Sequence, residues 1–197
     1  MNYSTPQESF WAGQFGDDYI RRNQGAKLLA SNLNFFNLCL TGAGKIDSCL
    51  ELGANIGMNL KAFQLLYPKI ELSGVEINPT AHEELQKLIG PNKAILSSIF
   101  DYKSNKRFDL TISKGVLIHI HPNKVPLVYQ KLYDHSKKFV LIAEYYNPSP
   151  VKIDYRGEKN RLFKRDFAGE FLDKFQDTEL IDYGFFYHRD PIFPQDD

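Results

Sequence analysis

Between residues 45 and 143 short aliphatic runs alternate with stretches of helical period, and this alternation restricts the possible folds more than any other feature of the chain. The runs at 46–52, 70–77, 93–98, 108–113 and 138–144 have the length and branching of buried strands. Between them, 58–67 sets Leu60, Phe63 and Leu66 on one face before Pro68 stops it. Asn78-Pro79 offers an N-cap side chain and a proline for the first helical turn, Ala81, Leu85 and Leu88 form the stripe, and Gly90-Pro91 ends it. A third helix is predicted over about 123–135, with Val125, Val128, Tyr129 and Leu132 inward. Strands separated by helices of this length predict a mostly parallel sheet with helices on both faces, an open α/β sandwich.

Residues 8–40 read as helical, with Leu28, Leu29, Leu33, Phe36 and Leu40 near one side of a helix over 24–40. Residues 145–165 read as a long connection rich in tyrosine and basic side chains, a length that favours a lid or binding loop. Asp166 can cap a helix running to Phe175, and 178–187 reads as a last strand. The expected organisation over 1–197 is one domain: a helical cap (1–44), a core (45–144), a lid (145–165) and a C-terminal helix and strand (166–197).

Lys plus Arg and Asp plus Glu both total 24 in the 197 residues, so no net charge draws the chain to nucleic acid or an anionic membrane. The N-terminus lacks the basic start and apolar run of a signal peptide, and the longest apolar run, 139–143, is far too short to span a bilayer. Cys39 and Cys49 show no metal-ligand spacing and read as reduced, small apolar residues. A cytoplasmic protein without a metal site is expected.

The segment Glu51-Leu-Gly-Ala-Asn-Ile-Gly57 joins a predicted strand to a predicted helix. Gly53 permits a positive φ or a close approach, and Gly57 lets the helix start lie against a neighbour. Dinucleotide sites use G-x-G-x-x-G here to bring helix N–H groups to a pyrophosphate. Asn55 replaces the middle glycine and Glu51 precedes the turn, which disfavours a pyrophosphate and an NAD-type oxidoreductase. A carboxylate at Glu51 suits an ammonium group instead. Glu76 lies 23 residues after Gly53, near the roughly 20-residue offset at which an acid takes ribose hydroxyls. A ribose with a cationic amino-acid tail and no phosphate describes S-adenosyl-L-methionine.

C-L-E-L-G-A-N-I-G-M-N-L, then G-V-E-I-N, then F-D-L-T-I-S-K-G-V-L-I-H-I-H-P resemble the class I S-adenosyl-L-methionine-dependent methyltransferases. With F-W-A-G-Q-F-G-D-D-Y-I-R-R-N, A-E-Y-Y-N-P and Y-R-G-E-K-N-R-L-F-K-R-D-F, the chain is most similar to the pseudaminic acid biosynthesis-associated methylases. The resemblance implies a Rossmann-like methyltransferase sandwich and a sugar or nonulosonate acceptor. It also implies that Glu51, Gly53, Asn55 and Gly57 surround the methionine and ribose of the cofactor, that Glu76 holds the ribose, and that Ile77 packs on the adenine. Ser98 and Ile99 fall where such enzymes contact the adenine edge; a carboxylate often does so, and Asp101 is the nearest. Lys114, Gly115 and Val116 would line the sulfonium end. Such folds finish with an antiparallel strand, and Pro191 and Pro194 in P-I-F-P-Q-D-D predict that it is missing here.

His119 and Glu144, at predicted strand ends, are candidate general bases; a packed histidine and an exposed carboxylate are the alternatives. His121, before a proline, reads as a turn or cap residue. Tyr145, Tyr155 and Arg156 are candidate acceptor contacts, and Arg156, Lys159, Arg161, Lys164 and Arg165 could bind a carboxylate or phosphate. Tyr19 and Arg22 are candidates to cap the cofactor's methionine end. Asn147-Pro148 follows the fifth strand, not the fourth as in DNA adenine methyltransferases, so no nucleic-acid substrate is expected. The acceptor atom, oxygen or nitrogen, stays open, as does a cofactor-binding partner without catalysis.

Overall fold

The computed structural model describes residues 3–195. Residues 1–2 and 196–197, the extremes of the predicted cap and C-terminal segment, lie outside the described residues. Three helices come first: α1 (Pro6–Ala12), α2 (Gln14–Arg22) and α3 (Ala26–Cys39). The predicted helical run is therefore broken twice. Gly13 is extended between α1 and α2, and Gly25 at φ +103° starts α3 two residues later than the periodicity implies. Thr5 and Glu8 form a capping box that fixes the start of α1.

Then β1 (Ser48–Leu52), α4 (Met58–Leu66), β2 (Glu71–Glu76), α5 (Pro79–Ile89), β3 (Ala94–Leu96), β4 (Phe108–Lys114), α6 (Val125–Asp134) and β5 (Ser136–Ala143) follow. The strands form one sheet in the order β3-β2-β1-β4-β5, and every pair is parallel. β1 is buried at all five positions because both faces of the sheet are covered. Its alternation divides the core. Cys49 packs with Phe36, Leu60, Phe63 and Leu85 from α3, α4 and α5. Leu50 and Leu52 pack with Val128, Tyr129 and Leu132 of α6 and Phe171 of α7 (Phe167–Lys174). The Asn78 side chain caps α5 by accepting from the Ala81 amide at 2.9 Å, as its sequence predicts. No helix among the described residues is long and apolar enough to cross a membrane.

Two expectations are corrected. The 145–165 connection holds a hairpin, β6 (Val151–Tyr155) paired antiparallel with β7 (Glu158–Lys164). Arg156 (φ +52°) and Gly157 (φ +84°) both take positive φ, the backbone of the tight turn that matches strand twist. The predicted strand over 178–187 does not form. The Asp182 carboxylate takes the Tyr183 amide at 2.8 Å, removing a donor a ladder would use. Leu180, Ile181, Tyr183 and Phe185 stay exposed while Phe186 packs on Phe35 at 4.6 Å. The described residues add no antiparallel strand to the five-stranded sheet.

Candidate active site

β1 pairs with both β2 and β4, and the chain leaves β1 toward one edge of the sheet and β4 toward the other. Connections that part this way open a crevice beyond the carboxyl ends of the strands. It measures about 1370 Å3. Pockets for one drug-sized ligand span roughly 300–1,000 Å3, so there is room for a second molecule. Of the predicted residues, Tyr19, Gly53, Asn55, Glu76, Ile77, Ser98, Ile99, Lys114, Gly115, Val116, His119, Glu144 and Tyr145 line it.

The turn after β1 is tied to the end of β2. The Gly53 and Ala54 amides donate to the Val75 carbonyl at 2.8 and 2.9 Å. Glu76 Oε2 accepts from the Asn55 amide at 2.7 Å, and Oε1 from the Ile77 and Asn78 amides at 2.9 and 2.7 Å. Burial pushes the Glu76 carboxyl up, and these three amides pull part of that back. Three of the roughly four acceptor directions of the carboxylate are used, which leaves one for a hydroxyl. At Gly53 (φ +78°) an added Cβ would come within 2.7 Å of Val116, so this approach of the two loops requires glycine.

Glu51 shares its face of β1 with Cys49 and is 1% exposed. Its Oε1 accepts from Asn59 Nδ2 on α4 at 2.6 Å, and its Oε2 has no partner. Burial pushes the carboxyl up to about 8; Asn59 and the Lys114 ammonium pull it down, and Glu76 adds to the rise. Glu51 does not line the crevice directly, but its partner Asn59 does.

His119 sits not on the fourth strand but in a 3-10 turn, Leu117–His119, just beyond it. Its Nδ1 lies 2.6 Å from the Arg161 carbonyl, which can only accept, so Nδ1 carries the proton and Nε2 holds the lone pair. Burial lowers the imidazole pKa to about 4, against the opposing pull of that carbonyl. The ring stacks obliquely on Trp11 at 4.6 Å and Tyr155 at 4.9 Å. Glu144 directly follows β5 and lines the crevice. Its Oε1 accepts from Ser113 Oγ (2.8 Å) and the Val116 and Leu117 amides (both 3.0 Å), and Oε2 accepts from the Ile118 amide at 3.3 Å. Burial raises its pKa despite these donors, but its lone pairs are directed at the turn that carries His119.

Other residues named from the sequence lie elsewhere. Gly57 (φ +83°) starts α4 against α5, where a Cβ would meet Leu88 at 2.7 Å and Leu85 at 2.8 Å. The Arg22 guanidinium lies over the rings of Phe15 and Tyr19. Tyr155 backs His119 from outside the lining, and Arg156 occupies the hairpin tip over the Tyr155 ring. His121 caps a 3-10 turn (Pro122–Lys124), its Nδ1 accepting from the Asn123 amide at 3.3 Å. Asp101 is exposed and outside the lining.

Glu8, Trp11, Asn59 and Asn78 line the crevice without having been singled out for it. Asn78 Nδ2 donates to the Trp11 carbonyl at 3.2 Å and to Asp17 Oδ1 at 3.0 Å, holding the N-terminal helices against the rim. The Ser98 hydroxyl donates to the Glu8 carboxylate. Of these, only the Thr5-x-x-Glu8 capping spacing and the Asn78 cap are visible in the sequence, and neither points to a crevice.

No protein-family model matches the chain, and no curated protein matches it by sequence. Solved structures match it by fold. The mitomycin 7-O-methyltransferase superposes with a TM-score of 0.64 at 13% identity over 86% of this chain and 54% of that one. The Burkholderia thailandensis 1,6-didemethyltoxoflavin-N1-methyltransferase, solved with 1,6-didemethyltoxoflavin and S-adenosylhomocysteine, gives 0.62 at 14% identity over 88% of this chain and 80% of that one. A sugar N-methyltransferase from Streptoalloteichus gives 0.56 at 13% identity, covering 80% and 65%. The chain spans less than two thirds of the first and third of these. Its fold is the Rossmann-like α/β sandwich of small-molecule methyltransferases.

Proposed function

We propose that the chain is an S-adenosyl-L-methionine-dependent methyltransferase acting on a small molecule. The observation that carries this reading is the convergence at one crevice of a glycine turn, the Glu76 carboxylate at the next strand tip, and the neutral His119 lone pair. The buried residues suit the cofactor. Glu51 Oε2 is an acceptor without a donor, two residues before Gly53, as expected where a ligand brings its own cation. Glu51, Gly53, Asn55 and Tyr19 would hold the methionine end, Glu76 and Ile77 the ribose and adenine face, and Ser98 and Ile99 the adenine edge. Lys114, Gly115 and Val116 would face the sulfonium. S-adenosyl-L-methionine, when bound, supplies an activated methyl group.

The chain's own part is alignment, exclusion of water and removal of a proton. His119 Nε2 accepts the proton of the acceptor's nucleophile, with Nδ1–H fixed on the Arg161 carbonyl. Glu144 keeps the turn that carries His119 in place, and Trp11 and Tyr155 shield the ring.

For the acceptor we propose a sugar or nonulosonate intermediate of pseudaminic acid-type biosynthesis. The motif resemblance supports this, as do Lys164 and Arg165, which line the crevice near Tyr145 and suit a carboxylate or phosphate. The test is mass spectrometry of the purified protein for S-adenosyl-L-methionine or S-adenosylhomocysteine, followed by methyl transfer to nonulosonate intermediates. A protein that carries neither nucleoside and gives no calorimetric signal with S-adenosylhomocysteine would remove the cofactor; transfer only to unrelated acceptors would remove the pathway.

A further inference from the structure

Helix α1 brings two acceptors to the crevice that the roles above leave unused. Glu8 is 7% exposed, and its two oxygens are differently engaged. Oε2 belongs to the chain start: it accepts from Ser4 N and Oγ, both at 2.7 Å, from Thr5 N at 2.9 Å and from Thr5 Oγ1 at 3.3 Å. Among the described residues Oε1 has a single partner, the hydroxyl of Ser98 just past β3. Burial pushes the Glu8 carboxyl up, yet the donors from Ser98, Ser4 and Thr5 outweigh it and hold it below the ordinary range, so it is ionised near neutrality.

Gln7, 4% exposed, lines the same crevice. Its Nε2 donates to the Asn160 carbonyl at 3.0 Å, and its Oε1 is buried with no donor among the described residues. A buried acceptor with capacity to spare calls for an N–H on the ligand, because an unpaired buried oxygen is costly. Ile77, Ile99 and Phe100 line the crevice around Ser98, apolar surface suited to a flat ring. A planar heterocycle with an exocyclic amino group answers both requirements.

We propose that Glu8 determines the base specificity of the cofactor site: its Oε1 accepts a hydrogen from the adenine amino group. This rests on the S-adenosyl-L-methionine reading above. It assigns recognition of the base to a helix outside the strand-and-turn core, some 90 residues before Ser98 in the chain.

Isothermal titration with S-adenosylhomocysteine and with S-inosylhomocysteine, whose ring carries an oxo group in place of the amine, tests the proposal without an acceptor. The wild-type protein should bind the adenine compound about ten- to a hundredfold more tightly, the range of a hydrogen bond to a charged group. Glu8→Gln keeps the capping box, since glutamine serves there as well, and offers an N–H to the oxo group. Its preference should fall toward unity. Thr5→Ala removes the other half of the cap; it should lower the melting temperature and leave the preference intact. Equal wild-type binding of the two compounds, an undiminished preference in Glu8→Gln, or an equal collapse in Thr5→Ala would each overturn the proposal while leaving the methyltransferase reading in place. A wild-type protein that binds neither compound would remove that reading and this proposal with it.

Discussion

With Nδ1 on the Arg161 carbonyl and its pKa pushed down to about 4, His119 holds its lone pair throughout the physiological range. Methyl transfer should therefore stay insensitive to His119 down to about pH 5 and decline only toward pH 4. His119→Gln should lower kcat by about a hundred- to ten-thousandfold. The same group links folding to pH. The unfolded chain takes up a proton at the ordinary value of 6.5 while the folded protein refuses it until about 4, so stability is full above 6.5 and is lost as pH falls through that window. Melting curves of His119→Gln should show a shallower decline there. Glu51 has the opposite sign. Folded, it keeps its proton up to about 8, whereas the unfolded chain gives it up near 4.5, so at pH 7 burial of this carboxyl destabilises the ligand-free protein by on the order of 3 kcal/mol. Glu51→Gln, which keeps an acceptor for Asn59, should raise the ligand-free melting temperature by several degrees and weaken S-adenosylhomocysteine binding. No change in either would free Glu51 of a ligand role.

The 3-10 turn Leu117–His119 depends on one carboxylate, because Glu144 accepts from three consecutive amides, Val116, Leu117 and Ile118, and from Ser113. Glu144→Ala would strand these donors and should destabilise the protein by roughly 3–5 kcal/mol, read as a shifted urea midpoint. Glu144→Gln retains an acceptor and should keep most of the stability and an unaltered acid limb in kcat; a new limb would restore Glu144 as a base. The central strands and α4 to α6 are legible from sequence because burial on both faces writes continuous apolar runs and the Asn78-Pro79 start is local chemistry. The β6–β7 hairpin is not. Its tip needs arginine at positive φ, which sequence preference argues against; β6 is too exposed to show a period, and β7 buries two consecutive residues, Leu162 and Phe163, instead of alternating. The 178–187 segment misleads in the other direction: its apolar residues have strand character, but a strand forms only where an edge receives it.

The lining of the crevice draws on distant parts of the chain, and here the sequence says least. The Glu8–Ser98 contact and the Trp11–His119–Tyr155 stack join residues separated by dozens to over a hundred positions, and no local pattern encodes such a meeting. The strand-tip acids Glu51 and Glu76 were legible because spacing along one βαβ unit fixes them. Mechanical robustness should be equally uneven. β6 is exposed over most of its length and, among the described residues, pairs only with β7, so its amides should exchange hydrogen faster than those of β1, β2 and β4. Addition of S-adenosylhomocysteine should slow exchange in α1, and uniform exchange across hairpin and sheet would contradict this picture. The Gln7 amide bonded to the Asn160 carbonyl carries a temporal corollary. Because the first helix is secured by a strand that leaves the ribosome some 150 residues later, a nascent chain can assemble its sheet while its crevice still lacks that fastening, and the finished rim should arrive late in synthesis.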